Sequence, residues 1–250
     1  MVARLTGLGG RGRTGPSPNG GRYGLLLVVL IGSYLLTAFS GATLATQVQV
    51  ILFALVVLLA LRTSPLPGPW PWVIAGVTVA GSAVTFYTSL SGARVGKATE
   101  DFWKALLLLM AAVMVVRRVL ARPTVTIQSI YGALSAYLIT GLMFASIYTG
   151  MNHLGTSDFF ADNQPANTQT FQYFSFTTLT TLGYGDFTAG QNGGRSVAVL
   201  EALTGQIFLA TLVARLVAAY RTPDRPEPEP SGGRRLPEDV DGPGDDEDRD

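Results

Sequence analysis

Six apolar stretches of near bilayer length fill most of this 250-residue chain, and they restrict its fold more than any other feature. They run at about Tyr23–Ser40, Leu44–Leu61, Trp70–Leu90, Phe102–Leu120, Ile130–Thr149 and Ser196–Tyr220. A helix needs roughly 20 apolar residues to cross the hydrocarbon core of a bilayer. A segment inside lipid must also pair its own backbone N–H and C=O groups, which a helix does internally. Composition points the same way. The chain is 48% hydrophobic and only 14% charged, with a mean hydropathy of +0.32, a balance that belongs to membrane proteins rather than soluble cores. Tyr23, Trp70, Trp72, Trp103 and Tyr148 sit near segment ends, where amphipathic rings favour the interface. The expected fold class is an all-α membrane protein with six transmembrane helices.

The formal net charge of +1 hides a segregation of charge along the chain. Residues 1–22 carry Arg4, Arg11, Arg13 and Arg22 among Gly and Pro and read as a disordered basic tail. Residues 221–250 are rich in Pro, Gly, Asp and Glu and read as a disordered acidic one. With the N-terminus cytoplasmic, the inside collects Arg4, Arg11, Arg13, Arg22, Arg62, Arg117, Arg118, Arg122, Arg221 and Arg225. The outside then holds Arg94, Lys97, Lys104 and Arg195 near its segment ends. The positive-inside rule selects this orientation. Six spans then leave both termini cytoplasmic and put the loop between spans five and six outside. A secretory signal cut near Ala45 is the competing reading of the first span. That apolar run is longer than the usual signal core, and Gly41–Thr43 suits a hairpin between two spans.

Cysteine is absent and His153 is the single histidine, which excludes a disulfide framework, a thiolate metal site and a multi-histidine site within one chain. No nucleophile elbow, phosphate-binding loop or metalloprotease motif occurs, so no enzyme is expected. A lone histidine in the loop after span five reads as a solvated side chain. Asp158 and Asp162 in the same loop add negative charge to it.

The loop between spans five and six holds the most informative run, Thr180-Thr181-Leu182-Gly183-Tyr184-Gly185-Asp186. It follows Tyr173-Phe174-Ser175-Phe176-Thr177-Thr178-Leu179 and precedes the last span. Residues from about Asn167 to Leu179 suit a short helix whose negative end would face a cation. This run resembles the pore loop of the potassium channel family, and Leu182 stands where the family commonly has Val. The resemblance implies a selectivity filter: a re-entrant pore helix, then a loop whose carbonyls replace the hydration shell of potassium on an axis shared by four chains. It implies potassium at the carbonyls of Thr181, Leu182, Gly183 and Tyr184, with the Thr181 hydroxyl adding the innermost site. Gly183 and Gly185 would take the unusual φ that such a loop needs. Thr177, Thr178, Thr180 and Asp186 would support it, and the Tyr184 ring would pack outward.

The family often pairs a pore-helix carboxylate with the aspartate after the filter. Thr177 occupies that position, so Asp186 must find a hydroxyl, an amide or water. Gly205, twenty residues after Gly185, matches the family's inner-helix hinge, although glycine equally allows close helix contact. Glu201 lies in the same apolar segment, and intramembrane acids are functional candidates. It could hydrogen-bond behind the filter or bias a cavity negative; Gly205 and Glu201 are the gating candidates. Gln206 could line the cavity, and Arg215 can snorkel to headgroups.

The resemblance is strongest over about Ser129–Tyr220 and extends to six-span bacterial members only in the number of spans. A voltage sensor repeats arginine through its fourth helix, but Ala105–Val116 has no charge. Steep voltage gating is therefore not expected. The domain reading is a tail at 1–22, a four-helix transmembrane domain at 23–122, a pore domain at 123–220 and a tail at 221–250. Within the third, Pro123 breaks the helix, and Val125, Ile127 and Ile130 suggest an amphipathic linker. The expected function is passive potassium conduction across the cell membrane by a homotetramer. Its partners are potassium ions and membrane lipids, with no cofactor and no nucleic acid. The alternatives are a weakly selective cation channel and a non-conducting regulatory membrane subunit. A potassium uptake subunit, with four degenerate loops in one chain, fits the single intact loop less well.

Overall fold

In the computed structural model the described residues are 22–39, 43–63, 68–89, 93–121 and 126–220. Both expected tails, apart from the helical Arg22, lie outside them, as do Pro123 and Val125 of the expected linker. The described residues form seven α-helices: α1 (Arg22–Phe39), α2 (Thr43–Thr63), α3 (Trp70–Ser89), α4 (Arg94–Leu120), α5 (Ile127–Leu154), α6 (Thr168–Leu179) and α7 (Asn192–Tyr220). A single 3-10 turn at Ala161–Asn163 interrupts the loop before α6.

Three of these helices are long and apolar enough to cross a membrane, over Pro71–Thr88, Ile127–Leu154 and Asn192–Ala218. Tyr23–Phe39 and Val48–Leu61 are shorter apolar helices. The fourth expected span, α4, is long enough but carries charges at both ends. The helical architecture expected of a membrane protein is therefore present among the described residues.

Helix α4 lies along α5 in the most extensive helix pair, and α1, α2 and α3 pack around these two. Leu26, Leu30, Phe53, Val56, Leu107, Leu108, Ala111, Ala136, Ile139 and Leu142 interlock there in one apolar core. Trp103 of α4 covers Gly81 of α3 and donates its indole N–H to Ser82 Oγ at 3.2 Å. Helix α5 starts at a capping box, in which the Thr126 hydroxyl accepts from Ser129 N and the Ser129 hydroxyl reaches back to Thr126 N. Ile127 and Ile130, expected in a separate linker, therefore belong to the first turn of α5.

Helix α4 begins at Arg94, well before the Phe102 boundary that apolarity suggests. The acidic residues of the added turns are paired inside the bundle. Glu100, Asp101 and Lys104 are all buried. Lys104 Nζ lies 3.1 Å from Glu100 Oε1 and 2.8 Å from Asp101 Oδ1. The other Asp101 oxygen, Oδ2, is 2.8 Å from His153 Nδ1 on α5. Lys104, read as an outside charge near a segment end, is instead an interior cation. His153, read as a solvated side chain, is instead joined to α4.

Removing one member of a buried ion cluster leaves the others charged and unpaired, at about 3–5 kcal/mol. Lys104→Met should therefore lower the thermal unfolding midpoint of detergent-solubilised protein sharply. Lys97→Met, on the exposed face of the same helix, should barely move it. Equal midpoints for the two variants would contradict the interior cluster.

Candidate functional site

Helix α6 carries the loop of interest and is short because it is capped at one end and turned at the other. Asn167 caps its start: the Asn167 side chain accepts from Thr170 N at 2.9 Å, and Thr170 Oγ1 accepts from Asn167 N at 3.0 Å. Its buried face seats Phe171 and Phe174 in an aromatic cluster with Phe144, Tyr148, Phe159 and Phe160. On another side, Phe176 lies over Gly141 of α5, where a Cβ would meet its ring, and meets Tyr34 of α1 edge-on at 5.3 Å. Three other helices thus hold α6 in place.

At Thr180 the chain leaves the helix and turns back on it. Thr181 N donates to Thr178 O at 2.9 Å, while Leu182 N and Gly183 N converge on Thr177 O at 2.8 and 3.1 Å. The Thr180 hydroxyl bonds Phe176 O at 2.7 Å. The φ angles of Thr181, Gly183 and Gly185 are +57°, +47° and +79°, whereas Leu182 and Tyr184 between them are not positive. Glycine adopts such angles freely; Thr181, with a β-branched side chain, does so only under constraint. Gln206 of α7 supplies one, donating to Thr181 Oγ1 at 3.0 Å.

Among the described residues, no donor reaches the carbonyl oxygens of Thr181, Leu182, Gly183 or Tyr184. All four residues are exposed along the chain's surface. The loop therefore presents a series of backbone oxygens that the chain itself does not use.

Beyond the loop, Asp186 is held without a second carboxylate. The Tyr173 hydroxyl donates to Asp186 Oδ2 at 2.8 Å, and the Gln164 side chain donates to the Asp186 carbonyl. The Tyr173 ring also lies parallel to the Tyr184 ring at 6.4 Å. Thr177 turns its own hydroxyl back to Phe174 O at 3.0 Å. The segment after Asp186 is tied to the preceding loop by the Phe160–Ala189 bridge, with Ala161 N to Thr188 O and Gly190 N to Phe159 O both 2.9 Å.

The two candidates on α7, Glu201 and Gly205, lie one turn apart and are both buried. A Cβ built on Gly205 would run into the Leu179 carbonyl oxygen, so this glycine is a notch for the end of α6. The Tyr137 hydroxyl reaches the same Leu179 oxygen at 3.3 Å. Glu201 accepts from the Tyr148 hydroxyl at 2.6 Å and lies against Ser175. Tyr148, read as a ring near a membrane interface, is instead fully buried. Tyr173 enters the sequence reading only as part of the aromatic run before the loop, and Tyr137, Ser175 and Gln164 have no role there. None has a local spacing signal, because each acts across helices.

Residues 132–222 match the ion channel family. The match spans nearly all of α5, then α6, the loop and α7, and it supports an ion channel reading of this part of the chain. Among curated proteins the chain has no significant match.

If the Gly205 notch seats α6, Gly205→Ala must push Leu179 away. Overpacking of this kind costs about 1–3 kcal/mol. The variant should unfold in detergent at a clearly lower temperature than the parent, and an unchanged midpoint would argue against the seating.

Proposed function

We propose that this chain is the subunit of a potassium-selective channel that conducts passively across the cell membrane as a homotetramer. The observation that carries the reading is the row of unbonded carbonyl oxygens from Thr181 to Tyr184, on a backbone whose φ changes sign at each residue. Such alternation turns successive carbonyls toward one side, whereas ordinary extended backbone alternates them. A dehydrated potassium ion needs a cage of such oxygens. One loop supplies one wall of that cage, so four chains must bring their loops to a common axis. The match to the ion channel family over the same residues supports the ion channel part of this reading.

In this arrangement α1 to α5 and α7 are the six spans, α6 is the re-entrant pore helix, and both termini are cytoplasmic. The negative end of α6 faces the conduction axis and favours a cation there. Asp186 and its Tyr173 partner sit at the outer end of the loop. Helix α4 has no charge between Ala105 and Val116. Each charge moved across the field supplies ~2.3 kcal/mol per 100 mV, so the open probability depends only weakly on voltage.

Purified protein in liposomes should pass potassium and rubidium and largely exclude sodium. A bi-ionic reversal potential near zero with potassium opposing sodium would remove the selectivity claim and favour a weakly selective cation channel. Gly183→Ala should abolish the current, because alanine resists the left-handed φ at that position.

The mass of the complex in native nanodiscs, corrected for lipid, should equal four chains. A conducting assembly of two chains would contradict the four-loop cage.

A further inference from the structure

Glu201, Ser175 and Tyr148 meet where α7, α6 and α5 touch, and all three are fully buried. Their oxygen contacts contain more acceptors than the two hydroxyls can serve. Tyr148 Oη lies 2.6 Å from Glu201 Oε2. Ser175 Oγ lies 2.5 Å from Glu201 Oε1 and 2.7 Å from the Gly141 carbonyl oxygen. Three short oxygen–oxygen contacts need three protons, and the Tyr148 and Ser175 hydroxyls bring one each. Gly141 O can only accept, so the Ser175 proton belongs on that line. The proton between Glu201 and Ser175 must then come from Glu201. No basic side chain lies within ion-pair distance of Glu201 among the described residues, and a buried carboxylate with no cation is costly.

We propose that Glu201 is a neutral carboxylic acid that positions the pore helix: it accepts from Tyr148 and donates to Ser175, which donates to Gly141. The chain of bonds fixes α6 against α5 and α7 together. Ser175 and Leu179 are one helical turn apart on the same face of α6. Glu201 holds the first and the Gly205 notch seats the second. The next residues are the loop, whose Leu182 and Gly183 amides hang on Thr177 O. A shift of α6 therefore moves the loop carbonyls directly. The carboxyl group that the pore helix lacks at Thr177 is supplied from the inner helix, behind the loop rather than beside it.

The functional part of this proposal rests on the potassium reading, so two readouts separate them. In liposomes of the full chain, Glu201→Gln should keep the potassium-to-sodium permeability ratio of the parent, because its amide donates to Ser175 and accepts from Tyr148. Glu201→Ala and Ser175→Ala should lower that ratio by about tenfold or more, the scale of a lost hydrogen bond at a buried site. Unchanged ratios in both alanine variants would overturn the positioning role. Where Glu201→Ala does not assemble, Ser175→Ala and rescue by Glu201→Gln decide the matter. Independently of conduction, infrared spectra of the parent at neutral pH should show a protonated carboxyl band that Glu201→Gln removes. A band of ionised carboxylate alone at that position would overturn the neutral acid. A parent protein that fails to distinguish potassium from sodium would defeat the potassium reading, while the infrared band would still test the acid.

Discussion

A polar group taken out of water must find its hydrogen bonds inside the protein, and the seating of α6 in this chain follows from that constraint. Ser175, Glu201 and Tyr148 are fully buried together, and their mutual bonds stitch three helices at the level of α6. The Tyr137 hydroxyl on the Leu179 carbonyl adds a further link at the helix end. Apolar packing alone is non-directional and would leave α6 free to slide along α5. The hydrogen bonds give it a height and a rotation, and the notch at Gly205 lets the Leu179 carbonyl come against α7 where a Cβ would block it.

Against this rigid support, the loop is built in the opposite way. Its first three amides are committed: Thr181, Leu182 and Gly183 all donate to the last turns of α6. Its carbonyls are not. A backbone that satisfies its donors and leaves its acceptors open presents net negative potential without any formal charge. The strained φ of Thr181, a residue that has no glycine-like freedom, fits that purpose. Strain of this kind persists only where the surroundings overdetermine it. Gln206 on one side and Thr178 on the other do so here.

Much of this was legible in the sequence where the signal is local. Apolar runs located the helices, and Gly183 and Gly185 marked where the backbone has to leave the ordinary φ range. The start of α4 was not legible in the same way, because a charged stretch reads as the end of a span until its partners are known. Glu100 and Asp101 stand four and three residues before Lys104, the spacing at which helix neighbours pair, so that signal was present. That His153 would join them from α5 had no counterpart in the sequence. The same holds for Asp186. The absence of an acid at Thr177 shows that a partner is missing, but only the fold brings Tyr173 to it.

The surface of α7 is consistent with the proposed assembly rather than with a chain that stands alone in lipid. Val199, Leu200, Leu203, Ile207, Val213 and Val217 are all exposed, which lipid could cover as well as protein. The polar groups on the exposed side are more discriminating. Thr180, Thr181 and Gln206 are exposed as well, with Gln206 bonded to the Thr181 hydroxyl next to the loop carbonyls. Hydrocarbon offers those oxygens no donor or ion, and irregular backbone at membrane depth is tolerated only where it is buried in protein or lines water. Copies of the same chain, arranged around a hydrated axis, meet both requirements together. In the proposed assembly the α7 faces would cover one another's apolar side chains, and the loop oxygens would face water and cations instead of lipid.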